Sequence, residues 1–357
     1  MTTALAPKPH RPTKLLLVNR QAPGDIVMLT AAVRDLHATF PGQYLTDVRT
    51  TGPALWEHNP HLTPLADDDP EVRRIECQYP LIHGSNQRPF HFIHGFIEYL
   101  GEQLGVRIRP GAFRGDIHLA PEERRWMSQV QEITRAPVPF WIIVAGGKRD
   151  YTIKWWDTGR WQQVVDAFQG RVMFAQVGEG RHEHPALRGV LDLRGKTNLR
   201  QLVRLVHHAQ GVVCPVTLLM HLAAAVEVRS GGGREQRPCV VVAGGREPPH
   251  WETYPSHQYI HTVGALRCCA HGGCWKSRTV PLGDGDKKDQ SLCVDVRPAD
   301  ETAHRSGPLP RCMDMIDAGE VVRRIERYFA GGSVRYLTRS EAALAARAVQ
   351  EGAHACA

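Results

Sequence analysis

Four groups of residues in this 357-residue sequence have types and spacings that could do chemistry. Gly24-Asp25 follows the apolar run Leu15-Leu16-Leu17-Val18 and opens an amphipathic stretch, so Asp25 falls where a parallel strand turns into a helix. Open α/β sheets hold their ligands at that edge, and an aspartate there either faces the cleft or caps the helix. A second loop, Gly146-Gly147-Lys148-Arg149-Asp150-Tyr151-Thr152-Ile153-Lys154-Trp155-Trp156, joins flexible backbone to three cations, a hydroxyl and two large aromatics. Lysine serves phosphate as a point charge, so Lys154 beside Trp155 makes a diphosphate clamp; the alternative is a solvated basic loop over core tryptophans. Thr217 precedes Leu218-Leu219-Met220-His221, where a threonine cap would present free backbone N–H groups to an anion. His221 on that apolar helix also reads as a core histidine. Finally, five of the nine cysteines fall between Cys268 and Cys312. Spacings of four, eighteen and eighteen residues between Cys269, Cys274, Cys293 and Cys312 are compatible with four thiolates around one tetrahedral ion. Cys268 or His271 could substitute in that set, and the alternative is buried free cysteines in an irregular loop.

These groups need a scaffold, and the composition supplies one. With 42% hydrophobic and 23% charged residues the chain is globular, with length for about two domains; disorder and fibre are excluded. No apolar run reaches the ~18 residues that cross a bilayer, which reads as a soluble, cytoplasmic chain. The formal charge of +7 favours an anionic partner: a phosphorylated sugar, an anionic membrane touched peripherally, or nucleic acid. Lys and Arg are dispersed and form no basic stripe interleaved with aromatics, which argues against nucleic acid. No G-x-G-x-x-G follows the first strand, which excludes a nicotinamide dehydrogenase of the usual kind.

Periodicity then orders the chain. Residues 1–13 hold three prolines and read as a disordered lead-in. Residues 14–136 form one domain, with a strand at 15–18, a helix over 26–40 and further alternation through 44–50, 54–59, 92–104 and 122–133. Arg135-Ala136-Pro137-Val138-Pro139 interrupts helix and marks a linker. Residues 137–330 repeat the pattern: strands at 140–145, 171–177, 211–214 and 239–243, helices at 159–168, 199–209, 218–226 and 319–329. Two Rossmann-like α/β domains facing a cleft follow from this alternation. Between 265 and 313 periodicity vanishes, and so long a segment needs a function or an organising ion. Residues 331–357 are a tail with an Ala-rich helix over 340–349.

Five blocks in this order carry a resemblance: LLLVNRQAPGDIVMLT (15–30), Asn59-Pro60-His61, residues 152–155, Leu193-Arg194-Gly195-Lys196-Thr197-Asn198-Leu199, and Met220-His221-Leu222-Ala223-Ala224-Ala225. Over about residues 14–330 the chain resembles the family 9 glycosyltransferases, the ADP-heptose heptosyltransferases of lipopolysaccharide assembly. The resemblance implies a GT-B fold and inverting transfer of a heptose or related sugar from an ADP-sugar to a hydroxyl. It makes Asp25 the general base and places Gly24, Thr152, Lys154, Trp155, Thr217, Leu218, Met220 and His221 around the nucleotide-sugar. One position departs: the family's donor-binding aspartate is Val216 here, which leaves the donor sugar less defined than the nucleotide. Arg246 and Glu247, after another strand, should line the nucleotide side, Arg246 toward phosphate and Glu247 toward ribose hydroxyls.

The cysteine segment is similar to the iron finger of the autotransporter heptosyltransferases, a branch that modifies protein serines and assembles into rings. That likeness implies a structural iron or zinc on Cys269, Cys274, Cys293 and Cys312, no catalytic divalent metal, a homo-oligomer, and a protein or glycolipid acceptor. Two other readings stay open: a GT-B enzyme using another nucleotide sugar on a secondary metabolite or polysaccharide, and a non-catalytic assembly protein built around the metal finger. Asp284-Gly285-Asp286 reads as turn chemistry and not as a metal-binding carboxylate pair.

Overall fold

The computed structural model describes residues 11–78, 83–229, 236–298 and 307–354, so most of the expected lead-in lies outside the described residues. In the first half, β1 (Thr13–Asn19), α1 (Pro23–Thr39), β2 (Tyr44–Thr50), β3 (Arg73–Glu76), α2 (Phe92–Leu104), α3 (Pro121–Arg125) and α4 (Gln129–Thr134) surround a parallel sheet ordered β2-β1-β3. The Leu-Leu-Leu-Val run makes β1 the central strand because it is apolar toward both faces. Residues 54–59 do not continue the alternation; Pro53 and Pro60 bracket them and leave one 3-10 turn, Pro53–Leu55. The stretch 122–133 divides into α3 and α4, because Ser128 starts a new helix by accepting the Gln131 N–H at 3.0 Å.

The second half contains β4 (Phe140–Ile143), α5 (Thr158–Ala167), β5 (Met173–Gln176), β6 (Leu191–Asp192), α6 (Leu199–His208), β7 (Gly211–Pro215), α7 (Leu218–Ala225), β8 (Cys239–Gly244), α8 (Pro249–Glu252) and β9 (His257–His261). Then come β10 (Val296–Arg297), β11 (Leu309–Pro310), α9 (Arg311–Asp314), α10 (Ala318–Ala330) and α11 (Arg339–His354). Its main sheet is parallel and ordered β6-β5-β4-β7-β8-β9. Counted from β4 this is the doubly wound order 3-2-1-4-5-6, with its switch point between β4 and β7. Alternation fills both faces: Phe140 and Ile142 join a core shared with the first sheet, while Trp141 and Ile143 meet Trp161, Phe168 and Phe329 on the other side. The tail is no loose end, since α11 returns to pack on β6 and α4 and buries Ala345 and Ala348.

Arg200 of α6 pins the two halves together. Its Nε donates to Glu123 at 2.7 Å and its Nη2 to the His118 carbonyl at 2.7 Å, both in the first half. The described part of the segment 265–313 is irregular but well tied. Arg278 is fully buried and bonds Asp284 at 2.8–2.9 Å, Asp150 at 2.9 Å, and Asp289. Asp286 accepts the Lys288 N–H at 2.9 Å, so this acidic run is committed to turns and to Arg278.

Candidate active site between the two sheets

Strand-to-helix turns from both halves meet at one place. A Cβ on Gly24 would lie 3.1 Å from His221 Cδ2 and 3.7 Å from the Leu218 Cα, so the missing side chain lets the starts of α1 and α7 approach. Asp25 is the third residue of α1, and its Oδ2 accepts the Ala22 N–H at 2.8 Å. It therefore closes its own helix end, in part the capping role, while half-buried beside the other half of the chain. Burial pushes its carboxyl up to about 7, against the pull of the Ala22 N–H, Lys154 and Lys148, and Glu247 adds to the rise.

Facing it, Lys154 Nζ lies 2.8 Å from Glu247 Oε1. Arg246 also pairs with Glu247, and its guanidinium sits 5.1 Å over the Tyr151 ring and 5.4 Å over Trp275. Burial alone would raise Glu247, but Arg246 and Lys154 outweigh it and hold the carboxylate below its usual range. Glu247 Oε2 is buried and has no hydrogen-bond partner among the described residues, an unmet need rather than a finished contact. Thr217 caps α7 by accepting the Leu219 N–H at 3.3 Å, with Leu218 half-buried and Met220 and His221 buried beneath. His221 Nδ1 lies 2.8 Å from the Tyr254 hydroxyl and Nε2 lies 3.3 Å from Glu252 Oε2.

Asp25, Lys154, Thr217, His221, Arg246 and Glu247 thus converge. Thr152 does something else: its hydroxyl accepts the Thr279 N–H at 2.9 Å and ties the lysine loop to the cysteine segment. Trp155 is half-buried against Gly147, with an indole N–H that has no hydrogen-bond partner. Val216 is buried at 4% exposure and offers no acceptor. Glu252 and Tyr254 were not singled out from sequence; Glu-Thr-Tyr-Pro has no diagnostic spacing, and only chain closure brings it to His221.

The cysteines gather behind this site. A Cβ on Gly245 would stand 3.1 Å from Cys269 Sγ and 3.3 Å from Cys312 Cβ, and the Cys274 N–H donates to the Gly245 carbonyl at 3.2 Å. Cys293 packs nearby, its N–H held by the Arg278 carbonyl at 2.8 Å. Burial pushes the thiols of Cys274, Cys293 and Cys312 up, the last to about 12, and neighbouring thiols add to it. The four do not close a coordination set. Among the described residues, the group of ligand atoms lying within 4.8 Å of one another is Glu57, His58 and Glu123, where Arg200 already serves the carboxylates.

The fold is a mixed α/β arrangement of the GT-B type, with its two larger sheets parallel. Residues 112–231, about a third of the chain, match the family described as glycosyltransferase family 9 (heptosyltransferase); that match supports a glycosyltransferase. Three solved structures show the same fold. A family 9 glycosyl transferase from Veillonella parvula DSM 2008 is 14% identical, with TM-score 0.58 over 92% of this chain and 100% of that one. The iron-containing dodecameric glycosyltransferase TibC from enterotoxigenic E. coli H10407 is 17% identical, with TM-score 0.58 over 91% and 79%; TibC has also been solved with ADP-D-beta-D-heptose. The E. coli ADP-heptose LPS heptosyltransferase II is 14% identical, with TM-score 0.53 over 90% and 100%. No curated protein matches the chain. Among the described residues no helix is long and apolar enough to cross a membrane.

Proposed function

We propose that this protein transfers a sugar, a heptose or a close relative, from an ADP-sugar to a hydroxyl acceptor with inversion at the anomeric carbon. The observation that carries the reading is Asp25, a carboxyl raised to about 7 in a cleft where it senses Lys154. The acceptor oxygen enters from the side of residues 14–136, and Asp25 takes its proton. The anomeric carbon passes from the diphosphate oxygen to the acceptor oxygen, and ADP leaves. Lys154, Arg246 and the capped start of α7 meet the charge that grows on the diphosphate, which lowers the barrier beyond ground-state binding. Glu247 takes ribose hydroxyls, its unpartnered oxygen being a ready acceptor.

Cys269, Cys274, Cys293 and Cys312 are the residues that would hold a structural iron or zinc. Cys269 and Cys312 crowd a glycine pair, with Cys274 tied to it through its backbone N–H; this is a thiophilic donor set that is not drawn together as it stands, and a bound ion would stabilise thiolates and tie down the segment. The acceptor is a protein serine or a glycolipid, and the protein works in the cytoplasm as a homo-oligomer. A second reading, a different nucleotide sugar, rests on Val216, which cannot accept a sugar hydroxyl.

Titration calorimetry of metal-replete protein with ADP, UDP, GDP and ADP-heptose, beside Lys154→Ala, tests the reading. Selective binding of ADP compounds, weakened by Lys154→Ala, is the expected result. Selective UDP or GDP binding would move the assignment to another sugar donor, and silence from all four would leave the non-catalytic assembly reading.

A further inference from the structure

Behind Asp25, His221 and Tyr254 of the second half form a hydrogen-bonded pair that ends on α1, with the Glu252 carboxyl 3.3 Å from the far side of the His221 ring. The Tyr254 hydroxyl lies 2.9 Å from Met28 Sδ, and a thioether only accepts, so the hydroxyl spends its single proton there. With that contact kept as a hydrogen bond, the hydroxyl oxygen accepts from His221 Nδ1–H at 2.8 Å, the tautomer this assignment requires. In that assignment the imidazole is the Nδ1–H tautomer with a lone pair on Nε2. Glu252 Oε2 stands 3.3 Å from Nε2 and makes no hydrogen bond among the described residues, so a proton on this carboxyl is what would turn the approach into a bond to Nε2. Burial works in the same direction, lifting Glu252 well above and His221 well below their ordinary ranges.

The series touches α1 twice. His221 packs under Gly24, where any Cβ would crowd its ring, and Tyr254 reaches Met28, three residues beyond Asp25. Asp25 sits between these two points on the first turns of the helix. We infer that Tyr254 and Glu252 are positioning residues for Asp25, acting through His221, so that the base is held in register with the donor side by a neutral hydrogen-bonded series crossing between the two halves. A neutral series suits this place: it braces the helix without adding a charge that would compete with Lys154 for Asp25.

This rests on Asp25 as the base, and the experiment separates the two. The probes are 15N-histidine-labelled full-length protein for the tautomer, and ADP binding with kcat and donor KM on ADP-heptose for function. Wild-type His221 should show a protonated Nδ1 and a bare Nε2. Tyr254→Phe should lose that tautomer and drop kcat about 10- to 100-fold, the scale of a 1 Å misplacement, with ADP affinity within about twofold. Glu252→Gln should keep most activity, since its amide N–H can donate to Nε2, while Glu252→Ala should not. A wild-type Nε2–H tautomer, or Tyr254→Phe with unchanged kcat, overturns the inference and leaves Asp25 untouched. Turnover by Asp25→Ala overturns the base assignment and this inference with it. Parallel losses of ADP binding and kcat in Tyr254→Phe would mean a collapsed site and also overturn it.

Discussion

The cleft and the cysteine segment both crowd charges together, and they resolve them in opposite ways. Around Arg278 every carboxylate has found its cation: Asp284 is drawn down to about 2, first by the Arg278 hydrogen bonds, and Asp289 is lowered by the same guanidinium. In the cleft, Asp25 is raised to about 7, Glu252 is lifted well above its usual range by burial and by Glu247, and Glu247 keeps one buried oxygen without a partner among the described residues. Carboxylates paired with a cation build architecture, even though Arg278 Nε itself is buried without a partner among the described residues, whereas a buried carboxylate oxygen left unpaired is where a ligand can complete the site. The difference separates a segment that holds the loops from the site proposed for the chemistry, although only a glycine pair, Gly244-Gly245, lies between the cysteines and Arg246-Glu247.

The sharpest way to break this contrast is Asp25→Ala. Removing a general base costs on the order of 10²–10⁴ in rate, while ADP affinity should hardly move. A rate assay beside calorimetry checks both, and a variant that still turns over would take Asp25 out of the base role. Next in size is Lys154→Ala, which removes a charged partner of the diphosphate. By the ~1.5–3 kcal/mol of a charge-assisted contact, ADP should bind roughly 10- to 100-fold more weakly, and unchanged affinity would return Lys154 to a partner of Glu247 alone.

Asp25 also makes a stability prediction of unusual sign. Its folded carboxyl titrates near 7 against about 3.9 in an unfolded chain, so the folded state holds the proton more tightly. Stability attributable to it is present below pH 4 and is lost as pH rises through 7. Asp25→Asn keeps an oxygen for the Ala22 N–H and should gain about 1–3 kcal/mol at pH 8 but little at pH 4. Denaturant titrations at the two pH values would show it; an equal gain or loss at both would place the effect in the helix end instead.

Much of this architecture was legible because it is written locally. Leu15-Leu16-Leu17-Val18 followed by Pro23-Gly24-Asp25 specifies strand, turn and helix, and α2, α6, α7 and α10 fall within a residue or so of the periodicity that predicts them. The strands that periodicity passes over are edge or polar ones. β3 is Arg-Arg-Ile-Glu with only Ile75 buried, and β9 carries two histidines and a glutamine among five residues. Asp25, Lys154 and Thr217 can be proposed from sequence because each follows a strand's carboxyl end, a position that sequence order reveals. Glu252, Tyr254 and Arg278 cannot, since their meaning depends on partners 30 to 230 residues distant or on a loop with no repeating pattern. Thr152 shows the converse: its place in a ligand-like loop is real, yet its hydroxyl is used by Thr279.

The smallest effect sharpens the architectural side. Asp284 has a folded value near 2 against about 3.9 unfolded, a depressed carboxyl, so its contribution is present above pH 4 and is lost as pH falls through 2. Asp284 is itself largely open to solvent, and salt will screen its pairing with Arg278. Acid should therefore loosen residues 278–290 before the sheets unfold. Hydrogen exchange followed from pH 5 to pH 2.5 should show protection falling there first, and Asp284→Asn should already have lost that protection at pH 5. If the segment and the β4–β8 core instead lose protection together, the two regions share one electrostatic fate and the division between a holding segment and a reactive cleft fails.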